Sequence, residues 1–265
     1  MDRNTPDTTE KVFDKLYKHL AEIMYQKHAS ELAAGRSGSN VTGHRRPHCL
    51  RLQHHFSNTT TFYTTNMKLF YIGIFKNAEK PAHELVSAKD ASTFSFWERS
   101  TVSEFMTFFS KTVAESKDAA PGKRQEIYEG PYKFHSLGHN TGIVGIIMSD
   151  HEYPLLVAQS LLNKVLDEFT AKYPRSTWSN SNPTLEFSEL TQYLSKYQDP
   201  QQADNIMKIQ KELDETKVIL HKTIESVLER GEKIDDLVAK SQGLSDTSRM
   251  FYTKAKQQNS CCVLM

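Results

Sequence analysis

Between Ile206 and Gln258 one residue stripe recurs at alternating steps of three and four, for 53 residues without a slip. Its positions are Ile206, Ile209, Leu213, Thr216, Leu220, Thr223, Val227, Arg230, Ile234, Leu237, Ser241, Leu244, Ser248, Phe251, Ala255 and Gln258. Ten of the sixteen are apolar, and the flanks carry Glu, Asp and Lys. A sustained 3.5-residue repeat with charged flanks predicts a coiled-coil helix. Six polar seam positions make it a weak coil by itself. The segment is therefore expected to be poorly ordered alone and to gain its helix with partners.

Arg230 is the most informative of these positions. A guanidinium in a packed seam costs several kcal/mol unless acceptors meet it, and its five donors ask for several oxygens at once. Three partner helices that each offer a Gln carbonyl would satisfy it. The register alone leaves a second reading open, in which the head reaches water along its stem.

The repeat runs almost directly into Cys261-Cys262-Val263-Leu264-Met265. Cys262-Val-Leu-Met has the form of a C-a-a-X box, which takes an isoprenoid on the Cys, and a terminal Met favours farnesyl. Cys261 is expected to carry a second lipid, palmitoyl or prenyl. Two chains matter, because one holds a protein to a bilayer only marginally. Residues 259–265 thus read as a lipidated tail. The longest apolar run, Ile143–Met148, is far short of the roughly 20 residues of a membrane helix. Membrane attachment is therefore assigned to the tail.

A net charge of +1 gives no reason to expect a nucleic-acid partner. Three cysteines, two of them adjacent, form no disulfide framework and fit a reducing, cytosolic setting. No secretory leader opens the sequence, so the sequons at Asn40 and Asn58 read as chance. Residues 1–66 carry one candidate amphipathic helix, with Val12, Phe13, Leu16, Leu20 and Met24, and then little periodicity. They are expected to be a disordered N-terminal extension. His44, His48, Cys49, His54 and His55 lie there, but their spacing matches no zinc pattern. No metal and no cofactor is expected, apart from the covalent isoprenoid and palmitate.

Residues 67–197 read as a compact α/β-patterned domain, followed by a linker at 198–205. Met67–Lys76 predicts a central strand with apolar residues on both faces. Phe94–Trp97 predicts a second, short strand. Thr101 or Ser103 is expected to cap a helix running to about Ser116. Val102, Phe105, Met106, Phe109 and Val113 would form its core arc, with Phe108 about 100° away. Strands are expected at 124–129, 132–138 and 141–149, with turns at Gly130-Pro131 and His139-Asn140. A long helix is expected after Pro154, and a short one around Leu185–Leu194.

Several of these stretches resemble a known family. Glu212–Lys217, Leu228–Val238, Phe251-Tyr252 and Lys256–Cys262 are similar to the YKT-type prenylated longin R-SNAREs. Met67–Phe70, Ser95–Val102, Glu104–Phe108 and Asp150–Pro154 similarly resemble their longin domain. The resemblance covers 67–265. It implies an α+β chain: a profilin-like longin domain with a five-stranded, antiparallel-rich sheet flanked by helices, followed by a coiled-coil SNARE helix at 206–258. It implies that Arg230 is the central ionic-layer residue, meeting one Gln from each of three Q-SNARE helices. The other seam positions become packing layers. It further implies that the longin domain folds back on the SNARE segment, where Phe108 would line a groove for that segment or for lipid. The bland reading of Phe108 is an ordinary core residue at the helix edge.

The expected function is vesicle-membrane fusion without bond chemistry, in ER–Golgi and vacuolar transport. The expected places are the cytosol and the cytoplasmic faces of Golgi, endosomal and vacuolar membranes. A prenylated GTPase also ends in a C-a-a-X box, but no P-loop is present. A non-fusogenic longin adaptor or tether with a plain coil is the alternative.

Overall fold

The computed structural model describes residues 67–199 and 217–260, with side chains as far as Lys254. Five strands form the antiparallel part of the sheet, and period-two patterning or a continuous apolar run supports all but the second. They are Leu69–Lys76 (β1), His83–Lys89 (β2), Arg124–Glu129 (β3), Tyr132–His139 (β4) and Ile143–Asp150 (β5). All pair antiparallel, and a sixth strand, Val218–His221 (β6), adds parallel to β3, giving the order β2-β1-β5-β4-β3-β6. Both β1 and β5 lie inside the sheet, paired with each other, and their residues are buried on both faces except at their last positions, as a doubly covered strand requires. The β3–β4 hairpin turns on Gly130-Pro131, where Gly130 takes a φ of +54°. A left-handed residue there matches the right-handed twist of the strands.

Helices cover both faces. On one lie Leu155–Lys172 (α2) and Glu189–Lys196 (α3), packed through Leu161, Leu162, Val165, Leu166 and Phe169 onto Leu69, Ile72, Ile74 and Ile147. Gly145 of β5 lets α2 come close, since a Cβ there would meet Leu162 Cδ2 at 2.9 Å. On the other face lies Arg99–Ala114 (α1). Its Phe105, Met106, Phe109 and Val113 are buried, and Val102 is partly buried against the same cluster. The helix begins at Arg99 after Glu98, which makes no side-chain cap, so neither Thr101 nor Ser103 is the cap.

Two further expectations need correction. Phe94–Trp97 is a loop, and the second strand is His83–Lys89. The aromatics suggested strand propensity, but Phe96 and Trp97 project into solvent. The 206–258 segment is also not one coiled-coil helix in its described part. It is broken into β6, a 3-10 turn at Ile224–Val227, Ile234–Lys240 (α4) and Asp246–Ser260 (α5). Without partner helices its apolar residues find burial on the α1 face, and the path over that face requires bends at Gly231 (φ +95°) and at Ser241–Ser245.

Candidate functional site

The site is the face formed by α1 and the β3 edge together with the segment laid across it. Ile224, Val227, Ile234, Val238, Leu244 and Tyr252 join Phe70, Phe75, Phe105, Phe108, Phe109, Phe134 and Met148 in one buried cluster. The segment arrives as an edge strand. Backbone pairing sets Val218 beside Arg124, Ile219 beside Gln125, Leu220 beside Glu126 and His221 beside Ile127. Next, the Ile224 N–H donates to Glu129 Oε2 at 2.7 Å, with Glu129 itself buried. A carboxylate so placed satisfies a backbone donor that burial would otherwise orphan.

Farther along, the Ser245 N–H donates to Glu104 Oε2 at 2.7 Å. Burial works against the Glu104 carboxylate, but hydrogen bonds from Ser245 and Ser248 outweigh it and hold its pKa below the ordinary range. Tyr252 lays its ring against Phe105, with centroids 6.4 Å apart, and donates its hydroxyl to Asp235 Oδ1 at 3.0 Å. Lys80 and Glu229 pair at 2.5 Å with both side chains more than half exposed, so the pair contributes little. His221 Nε2 stands 3.5 Å from Asp118 Oδ2. Burial lowers the His221 pKa, and the Asp118 charge opposes that only in part.

The register explains what is exposed. Arg230 lies in the open turn between the 3-10 turn and α4. Alone, a guanidinium costs several kcal/mol to bury, so it faces water here. Leu220, also on the repeat, is 65% exposed. Of the other repeat positions, Val227, Ile234, Leu244 and Ser248 are buried, while Thr223, Leu237, Ser241 and Phe251 are half-buried. Ile224, Val238 and Tyr252 are buried although they lie off the repeat. On α4 the buried pair is Ile234 and Val238, and on α5 it is Ser248 and Tyr252. Each pair is four residues apart, one row of a helix. That row is rotated by about 50° from the three-four seam, at 100° per residue. The segment thus lays an offset stripe on the domain and shares only some residues with its repeat.

Phe108 is buried in the same cluster, edge-on to Phe109 at 5.1 Å. Ile206, Ile209, Leu213 and Thr216 lie outside the described residues, as do Cys261 and Cys262 and the His-rich stretch. Ala255 and Gln258 fall in the last turns of α5, and their side chains are outside the description. Glu104, Glu129, Ile224 and Val238 were not singled out by sequence reasoning. Isolated carboxylates and off-register apolar residues carry no local signal of a tertiary role. Among the described residues no group of His, Cys, Asp or Glu is arranged to hold a metal ion, and no helix is long and apolar enough to cross a membrane.

Comparison with known proteins matches two stretches of the chain. Residues 91–194 match the longin family, described as a regulated-SNARE-like domain, and residues 205–263 match the synaptobrevin family. The chain is 56% identical over 198 residues to the synaptobrevin homolog ykt6 of Schizosaccharomyces pombe, covering 75% of this chain and all of the relative. It is 52% identical to the synaptobrevin homolog YKT6 of Debaryomyces hansenii and 51% to that of Saccharomyces cerevisiae, each over 202 residues, again 75% of this chain and all of the relative.

Proposed function

The chain belongs to the Ykt6-type longin R-SNARE family, and from that premise we propose that it drives membrane fusion by zippering with three Q-SNARE helices after release from its own longin domain. The family is one of non-enzymatic trafficking proteins, and an R-SNARE role in vesicle trafficking follows from it. In the zippered state Arg230 is the ionic-layer residue, its donors met by one Gln carbonyl from each partner, and the remaining repeat positions are packing layers. Apolar burial supplies the driving force, at about 25 cal/mol per Å². Cys262 carries an isoprenoid and Cys261 a second lipid, so that zippering pulls on the bilayer. The protein moves between the cytosol and the cytoplasmic faces of Golgi, endosomal and vacuolar membranes, and acts in ER–Golgi and vacuolar transport.

One observation carries the autoinhibited part of this reading. Val227, Ile234 and Leu244 belong to the repeat yet are buried beneath the α1 face, while Arg230 is exposed. A side chain cannot fill both positions, so the packed-down form and the four-helix form exclude each other. The off-register burial of Val238 and Tyr252 argues against the plain-coil tether, because a permanent coil has no use for a second stripe.

The test is Phe108→Glu, which puts a charge in the cluster beneath the segment. Assembly with three Q-SNARE helices should quicken at least tenfold, and cytosolic protein should move to membranes. Unchanged assembly and distribution in a variant whose longin domain stays folded would overturn the autoinhibited reading.

A further inference from the structure

Two apolar features of the chain suit each other. The first is on the loop between β2 and α1. There Phe96 is 74% exposed and Trp97 is 87% exposed, the two most exposed large apolar side chains among the described residues. They pack edge to face, with centroids 5.4 Å apart. Arg99 fixes the loop, its Nε donating to Phe94 O at 3.1 Å and its Nη2 to Ser92 O at 3.3 Å. An aromatic pair held out in water calls for an occupant. The second feature is in the sequence of residues 1–66. Val12, Leu16, Leu20 and Met24 recur every four residues, with Phe13 beside the first. Lys11, Asp14, Lys15, Lys18 and Glu22 fall on the opposite side at 100° per residue. That is the spacing of a helix with one apolar row, the form that seats on an apolar surface.

We propose that residues 12–24 dock as a helix on Phe96 and Trp97 of their own chain. The place where the chain enters the domain selects this occupant. The Lys68 N–H donates to Asp150 Oδ2 at 2.7 Å. The Leu69 N–H donates to Gln198 Oε1 at 3.2 Å, and Gln198 Nε2 donates to Leu69 O at 2.7 Å. The entry into β1 is thus fixed, and it adjoins the aromatic loop. The Asp90 N–H donates to Phe70 O at 2.8 Å, and the rings of Phe70 and Phe94 stand 6.3 Å apart. Residues 25–66 join the apolar row to that entry. These 42 residues, at up to about 3.3 Å each, reach the loop with length to spare. Such a tether gives an effective concentration on the order of 1 mM, which a second copy at micromolar concentration does not match. All the contacts that place the site lie within residues 67–198, so it is present in the packed-down and the released chain alike. The helix forms as it docks, its ordering cost offset by the apolar contact. The docking depends neither on zippering nor on the lipid anchor.

The experiment uses the full farnesylated chain at micromolar concentration without vesicles. Amide exchange at 12–24 is divided by the intrinsic rate. A docking Kd of about 0.2 mM against about 1 mM slows that exchange about sixfold. Phe96→Ser/Trp97→Ser should return it to the intrinsic rate while β1 and β5 keep theirs. The converse readout is acrylamide quenching of Trp97. The other tryptophan, Trp178, is buried, so Trp97 is read as the difference from the same chain carrying Trp97→Phe. Leu16→Glu/Leu20→Glu lies outside the domain and should make Trp97 several-fold easier to quench. Intrinsic exchange at 12–24 in the wild type overturns the docking. So does protection there that survives Phe96→Ser/Trp97→Ser. A Trp97 equally shielded with and without Leu16→Glu/Leu20→Glu overturns it as well. Shielding that fades on dilution assigns the site to a second copy, shielding lost in Cys262→Ser assigns it to the chain's own lipid, and shielding gained only with phosphatidylcholine vesicles assigns it to a bilayer. Each of these three also overturns the docking.

Discussion

Ile224→Ala separates the two burials of the C-terminal segment better than any change on the repeat. Ile224 is fully buried in the cluster beneath the segment, its N–H is held by Glu129, and it lies off the three-four seam. Truncating a packed Ile to Ala costs about 2–5 kcal/mol when the surroundings cannot collapse. The 3-10 turn that carries it sits near one end of the docked segment and can relax, so the lower figure applies. A loss of about 2 kcal/mol multiplies the detached population roughly 30-fold. Amide hydrogen exchange reads that population directly, because detachment is a partial opening below the global unfolding free energy. Amides of α4 and of residues 246–254 should exchange about 30-fold faster, while those of β1 and β5 keep the wild-type rate. The assembled four-helix complex should melt within a few degrees of wild type, since the seam itself is unchanged. Equal acceleration in β1 and β5 would refute the reasoning, because Ile224 would then belong to the core of the domain and not to a detachable cover. Unchanged exchange throughout α4 and α5 would refute it too.

Arg230→Leu should leave exchange in the packed-down form unchanged, because Arg230 is exposed there. In the assembled complex it should lower the melting temperature, by stranding partner Gln carbonyls at about 1–3 kcal/mol for each group left unsatisfied. Docking should also loosen with acid. The folded pKa of His221 lies below its ordinary value of 6.5, so the docked state disfavours the proton, and this contribution is present above 6.5 and lost as the pH falls below it. Asp118 and Lys117 are the charges that act on His221. The Glu104 carboxyl has the same sign, with its contribution lost below the ordinary carboxylate range. The open population at 217–221, read as exchange divided by the intrinsic amide rate at each pH, should therefore rise from pH 7 to 5.5, and His221→Gln should flatten that rise. Cys262→Ser should leave the protein in the supernatant on membrane fractionation, and Cys261→Ser should give loose, exchanging attachment.

The sheet and its major helix were legible because their signals are local. The turn at Gly130-Pro131 and the alternation around it placed β3 and β4 within a residue of their observed ends. The apolar spacing after Pro154 placed α2. The β2 strand escaped because His83-Glu-Leu-Val-Ser-Ala-Lys mixes weak strand formers, and its place was given to aromatics that turn out to face water. The repeat was legible as well, but it encodes packing against partners. What it cannot encode is the offset stripe of Ile234 with Val238 and Ser248 with Tyr252, which depends on the α1 surface that receives it. Phe108 shows the same limit. Helical geometry put it off the core arc, and what its side of α1 packs against is decided by a segment more than a hundred residues downstream.

The central claim is that residues 217–254 have two exclusive resting places. The most direct test places one fluorophore on α1 at Thr107 and another on α5 at Thr253, an exposed position, and follows energy transfer as three Q-SNARE helices are added. The account predicts high transfer in the free chain and its loss as the complex forms, with Phe108→Glu starting from the low value. Transfer that stays high in a fully assembled, Arg230-dependent complex would contradict it.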